Sequence, residues 1–158
     1  MLTNIWQTYG VQIHAFGQVV FAMFLGALIG FNREYFHKPA GLRTHMLVAG
    51  AAAMIMILAK ISIMQFGDTF NGTGLRYDPV RIFVAVVTGV SFLGAGTIIR
   101  QVEGSRIEGL TTAAALLFSA VIGLAVALSQ YMLSIFTTVF AILILWILGK
   151  TEKSLRRK

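Results

Sequence analysis

The fold of this chain is decided by residues 110–148, LTTAAALLFSAVIGLAVALSQYMLSIFTTVFAILILWIL, in which only Ser129 and Gln130 separate two apolar runs. One helix of 39 residues would extend for about 60 Å, twice the roughly 30 Å of a bilayer's hydrocarbon core. We therefore predict two helices joined by a tight turn at Ser129 and Gln130. A single long helix, which would give four spans, stays open as the alternative.

Three further apolar stretches precede this region, at residues 13–31, 45–66 and 82–99. With 110–128 and 131–148 they make five stretches, each long enough to cross a bilayer as a helix. A backbone in lipid must satisfy its own hydrogen bonds, which helices do and an open sheet does not. The sequence predicts an all-α polytopic membrane protein, with one transmembrane domain at residues 1–149 and a basic tail at 150–158.

The composition excludes several classes of protein. Hydrophobic residues make up 57% of the chain and charged residues only 12%, against roughly a quarter charged in soluble domains. There is no cysteine, so disulfides and thiolate chemistry are excluded. No nucleophile and base pair stands out, and the glycine patterns of nucleotide-binding loops are absent. We expect a protein that is not an enzyme and has no cofactor.

Lysine and arginine outnumber acids by 13 to 6, and their placement predicts the orientation. Ten of them fall in the first loop, the third loop and the tail, while the second loop has only Arg76 and Arg81. This places the N-terminus outside and the C-terminus in the cytoplasm. The excess charge then reports topology and contact with membrane lipid, and we expect no nucleic-acid partner.

The densest polar segment is the first predicted cytoplasmic loop, where Pro39 and Gly41 turn the chain back to the membrane. We hypothesise a buried or half-buried ion pair between Glu34 and Arg43, although Arg43 could instead reach lipid phosphate. Topology brings nine residues to this depth, and they form the predicted functional cluster: Arg33, Glu34, Arg43, Thr44, His45, Gly94, Gly96, Thr111 and Thr112. Thr111 or Thr112 is expected to cap the fourth helix, with Glu34 as a candidate guest at its N-terminus.

Small residues recur at four-residue spacing, at Gly26 and Gly30 and again at Ala85 and Gly89. This spacing is typical of close helix packing in lipid, within one chain or between copies, and a homo-oligomer is expected. A thinned helix that lines a cavity or ligand is the alternative, above all at Gly94 and Gly96.

On the predicted outer side, Asp78-Pro79-Val80-Arg81 opens the third helix. Asp at the N-cap, Pro at the first helical position and Arg three residues after the Asp all have local structural reasons. The functional alternative is a mouth that attracts cations, in which Asp78 and Asp68 are the candidate ligands for magnesium. Lys60, inside the second span, is assigned no role.

Taken in order and spacing, the motifs of this chain resemble those of the MgtC/SapB family of bacterial inner-membrane proteins. They lie at residues 26–30, 33–34, 38–45, 78–81, 92–96 and 109–114. The resemblance covers residues 26–123, and the chain looks like a short SapB-type member that lacks the cytoplasmic ACT-like domain. It implies a role linked to magnesium homeostasis and to adaptation to low magnesium or acid. In some members the role is exerted by restraining ATP synthase, so a membrane-protein partner is expected. The family's recurrent polar positions correspond here to Arg33, Glu34, Arg43, Thr44, His45, Asp78, Arg81, Thr111 and Thr112.

Two functions follow as hypotheses. The first is a regulator that binds another membrane protein. The second is an oligomeric channel or transporter for magnesium or another ion, with Asp78 at its outer mouth and the predicted functional cluster around Glu34 at its inner end.

Overall fold

A computed structural model of the chain describes residues 2–70, 78–99 and 109–155. Within these ranges the chain forms five α-helices and no strand: α1 Leu2–Tyr35, α2 Leu42–Phe70, α3 Pro79–Ile99, α4 Leu110–Ala127 and α5 Tyr131–Leu155. The predicted all-α membrane fold is confirmed. Four helices carry stretches long and apolar enough to cross a membrane, Tyr9–Tyr35, Leu42–Met64, Val80–Ile98 and Leu110–Ala127, and α5 carries a shorter apolar stretch, Tyr131–Ile147.

The turn predicted at Ser129 and Gln130 separates α4 from α5. The Ser129 N–H donates to the Val126 carbonyl at 2.8 Å and the Gln130 N–H to the Ala125 carbonyl at 2.9 Å. Ser129 has a φ of 62°, so the pattern is a Schellman motif with serine in the left-handed position that glycine usually takes. The same motif ends α1, where His37 has a φ of 54°. The alternative of one long helix across this region is thereby excluded.

Helix α4 lies at the centre of the bundle and contacts all four other helices. Its buried residues are mostly small, and they include Ala115, Ser119, Ala120 and Gly123. Ala49 of α2 packs directly against Gly123. The two backbones are so close that a Cβ on Gly123 would overlap the carbonyl oxygen of Ala49. Since lipid provides no hydrophobic drive between helices, such close backbone approach is what holds the bundle together.

Gly26 and Gly30 likewise allow α1 to pack closely against α2. A Cβ on Gly26 would lie 2.5 Å from the carbonyl oxygen of His45, and one on Gly30 would lie 2.7 Å from Cα of Leu42. The packing interpretation of this pair is confirmed. In α3, by contrast, Gly89 and Gly96 face open space, and only Gly94 packs, against Ala113 of α4.

The helices of the core alternate in direction. Gly94 near Ala113, and Gly30 near Leu42, show that α3 and α1 run antiparallel to α4 and α2 respectively. One end of the bundle therefore holds the end of α1 and the starts of α2 and α4, and we call it the Arg33 end. The other holds the start of α3 and is called the Asp78 end. The positive charge of the loops predicts that the Arg33 end is cytoplasmic.

Candidate functional site

Arg33 lies in the last turn of α1 and is only 5% exposed. Its Nη2 donates a hydrogen bond of 2.7 Å to Oγ1 of Thr112, in the first turn of α4. Thr112 itself is buried. A hydrogen bond from a charged donor is worth more than one between neutral groups, so this contact ties the end of α1 to the start of α4.

His45 lies further into the bundle, in the first turns of α2, and is fully buried. Its Nδ1 and the Oγ of Ser119 on α4 are 2.8 Å apart, at hydrogen-bond distance. The imidazole reaches this position because Gly26 and Gly30 leave room for the α2 backbone against α1. His45 therefore sits where α1, α2 and α4 meet.

Gln18 makes the corresponding contact near the Asp78 end. Its Nε2 lies 3.0 Å from the Val126 carbonyl, 3.2 Å from Oγ of Ser129 and 3.1 Å from Oη of Tyr131. An amide nitrogen has two hydrogens, so it donates to two of these acceptors at a time. The side chain fastens α1 to the turn between α4 and α5.

These three contacts lie along one face of α4, because Thr112, Ser119 and Val126 are spaced by seven residues, close to two helical turns. We call the row the polar seam, made of Arg33 with Thr112, His45 with Ser119, and Gln18 with Val126. Lys60 adds a bond at the Asp78 end, where its Nζ donates to the Ala127 carbonyl at 3.1 Å. A cation at the C-terminal end of α4 is favourably placed in the helix dipole.

The structure corrects the expected role of Glu34. Glu34 is exposed, and its Oε2 accepts a hydrogen bond of 2.8 Å from the backbone N–H of Leu42, the first residue of α2. Among the ion pairs of the described residues there is none between Glu34 and Arg43. The predicted buried pair is wrong, because both side chains are exposed and the Glu34 carboxylate bonds the backbone at the start of α2 instead.

The expected cap of α4 is also wrong. Gly109 occupies the N-cap position with a φ of 101°, and within the described part of the chain this cap has no side-chain hydrogen bond. A φ in this range favours glycine. Because Gly109 is the N-cap, both threonines lie within the first turn of α4 and not at its cap. Thr112 then turns inward to Arg33, while Thr111 is exposed. The Glu34 carboxylate is bound at the N-terminus of α2 and not at that of α4.

The nine residues of the predicted cluster thus divide into three groups. Arg33, His45 and Thr112 are buried in the polar seam. Gly94 is buried in packing against α4, outside the seam. The others lie at the surface of the Arg33 end: Glu34, Arg43, Thr44, Gly96 and Thr111.

At the Asp78 end the local helix-start interpretation is borne out. Oδ1 of Asp78 accepts the N–H of Val80 at 3.0 Å, and its Oδ2 lies 3.8 Å from Nε of Arg81. The side chain of Asp68 lies outside the described residues. Across the side chains that the structure describes, no group of three or more metal-ligating residues occurs. Magnesium binding by Asp78 and Asp68 stays a prediction.

Sequence reasoning missed Gln18, Ser119 and the contact of Lys60. A single amide, hydroxyl or amine within an apolar span carries no motif. The signal available was the seven-residue spacing of Thr112 and Ser119, which places both on one face of α4.

Taken together, these features define a polytopic helical membrane protein whose three core helices are joined by buried polar contacts. A family model described as the MgtC family matches residues 19–154. The chain belongs to the MgtC family.

Several proteins are similar over most of this chain. The Escherichia coli (strain K12) protein named "Putative magnesium transporter YhiD" is 38% identical over 81% of the chain and 57% of its own length. Protein MgtC of Brucella abortus (strain 2308) is 43% identical over 65% of the chain and 37% of its own length. Protein MgtC of Salmonella typhimurium (strain 14028s / SGSC 2262) is 41% identical over 70% and 42%.

The chain therefore spans between about a third and three fifths of the length of these relatives. No solved structure matches it. Its apolar helices of span length and its membership of the family make it a membrane protein.

Proposed function

We propose that this chain is a non-enzymatic protein of the bacterial inner membrane that supports magnesium homeostasis by binding and regulating a membrane-protein partner. The observation that carries the proposal is the chemistry of the polar seam. Its buried side chains from α1 and α2 are an arginine, a histidine and a glutamine. Mg²⁺ prefers oxygen ligands, carboxylates above all, and a buried guanidinium repels it. Such a seam suits a junction that fixes three helices better than a path for a divalent cation.

The surface at the Arg33 end is the part we assign to the partner. Arg43, Thr44 and Thr111 are exposed, and none of them takes part in the polar seam. They correspond to recurrent polar positions of the family, so a role outside the chain's own packing accounts for them. ATP synthase, which the family resemblance implies, is the first partner to test.

Site-specific crosslinking in magnesium-limited cells tests this assignment. A photoreactive residue placed at position 43 or 111 should trap a subunit of the partner, identified by mass spectrometry. Leu47 is also exposed, at 65%, but faces outward from within the second span, so the same residue at position 47 serves as the matched control. Adducts to lipid alone from positions 43 and 111, or equal adducts from all three, would contradict the proposal.

The second candidate function is an oligomeric channel or transporter for magnesium or another ion, and one observation favours it. Ala85, Gly89 and Gly96 form an exposed small-residue face on α3, with Phe92 of the same face 81% exposed. Such a face allows close approach by a second copy. A channel built in this way predicts that Gly89→Leu abolishes both the oligomer and any ion flux. Loss of the oligomer without an effect on flux would exclude that arrangement.

A further inference from the structure

A groove of about 610 Å³ lies between the end of α1 and the start of α2 at the Arg33 end. It is lined by Phe31, Glu34, Tyr35, His37 and Leu42. Phe31 and Tyr35, one helical turn apart on α1, are 67% and 69% exposed. No contact within the polar seam uses these residues, so the groove is separate from that site.

The depth of the groove in the bilayer follows from the spans that end beside it. One candidate span ends at Tyr35 and the next begins at Leu42. Residues at span ends lie where hydrocarbon gives way to headgroups, and aromatic side chains favour that level. Above Phe31 the exposed face of α1 continues through Leu28 and Phe24, an apolar strip on which an acyl chain can lie.

The charges of the groove are complementary to a zwitterionic headgroup. Glu34 uses Oε2 for the Leu42 N–H, and a carboxylate retains further lone pairs for a second donor. The rings of Phe31 and Tyr35 beside it favour a cation as well. Arg43, which directly follows Leu42, is exposed and positively charged, and this charge suits a phosphate.

We propose that this groove binds a phospholipid with a primary-ammonium headgroup, such as phosphatidylethanolamine. The ammonium lies on Glu34 between the two aromatic rings, the phosphate lies toward Arg43, and an acyl chain follows Phe31, Leu28 and Phe24. This lipid site shares Arg43 with the partner surface proposed above but does not need the partner, so it is tested on the purified chain.

Native mass spectrometry of the full chain, released from micelles with an equimolar mixture of phosphatidylethanolamine and phosphatidylglycerol, tests the proposal. The wild-type chain should retain phosphatidylethanolamine preferentially. Glu34→Gln keeps an oxygen for the Leu42 N–H and removes only the charge, so it should lower that preference by roughly two- to fivefold, the size of one exposed charge or cation–π contact.

The aromatic contribution has a matched control on the same face of α1. Phe31→Leu should weaken retention of phosphatidylethanolamine, whereas Phe16→Leu, at a ring 69% exposed and outside both the groove and the acyl strip, should leave that retention unchanged. Equal retention of the two lipids by the wild-type chain would overturn the proposal. So would a preference that persists in Glu34→Gln, or equal losses in Phe31→Leu and Phe16→Leu.

Discussion

The closest contact between α1 and α2 gives a prediction whose magnitude can be worked out from the structure. In Gly26→Ala the added Cβ would lie 2.5 Å from the His45 carbonyl oxygen and 2.9 Å from Cβ of Ala49. One neighbour is a backbone atom of α2 and the other is the first side-chain carbon, and neither can rotate out of the way. The two helices must therefore separate. Overpacking of this kind costs roughly 1–3 kcal/mol, against a gain of up to about 1 kcal/mol in helix propensity.

Gly17→Ala in the same helix is the matched control, because nothing lies within 4 Å of the position of its Cβ. Both variants make the same change inside a membrane helix, so the propensity gain cancels in their comparison. The free energy of unfolding of Gly26→Ala should fall below that of Gly17→Ala by about 1–3 kcal/mol. Equilibrium unfolding in mixed micelles measures this difference. Equal stabilities, or a more stable Gly26→Ala, would refute the close approach of α1 and α2.

Three further predictions concern single side chains. Thr112→Val should destabilise the protein by about 1.5–3 kcal/mol, because it removes one hydrogen-bond acceptor from the buried Arg33 guanidinium. Thr111→Val, at an exposed position, should change stability by less than about 0.5 kcal/mol, and equal effects of the two variants on unfolding in micelles would contradict the seam. Ser119→Ala should cost about 1–3 kcal/mol in the same assay, since it leaves a buried imidazole nitrogen without its partner, whereas Ser91→Ala, at an exposed position, should be near neutral. His37→Gly should raise the melting temperature, with a gain of about 1 kcal/mol from relief of the left-handed backbone; an unchanged or lowered melting temperature would show that the side chain of His37 stabilises the turn by at least as much.

The helices were predictable because lipid imposes length and composition on them. The starts of α4 at Leu110 and α5 at Tyr131 coincide with the predicted ones. The start of α1 does not: the helix begins at Leu2, eleven residues before the predicted span. The predicted span covers only the apolar run, whereas the helix also includes the residues before it, among them the polar Asn4 and Gln7.

The sequence predicted at which end of the bundle the candidate site residues lie, but not which of them bond to one another. Topology correctly brought Arg33 and Thr112 to one end, since the end of one helix and the start of another meet there. The partner of Glu34 was predicted from charge alone, yet a backbone N–H at a helix start competes successfully with an arginine that can extend away from the bundle. Which face of a helix turns inward depends on the packing of small residues. Ser119 is buried and Ser91 is exposed, although nothing in the sequence distinguishes the two serines.

The most direct test of the proposed function is Mg²⁺ flux through the purified chain in sealed liposomes with an entrapped magnesium indicator. Because the polar seam contains a buried arginine, a regulator that acts through a partner should give the same signal as protein-free liposomes under every magnesium gradient and membrane potential. Uptake driven by the gradient and reduced in Asp78→Asn or Glu34→Gln would contradict the regulatory function and establish transport.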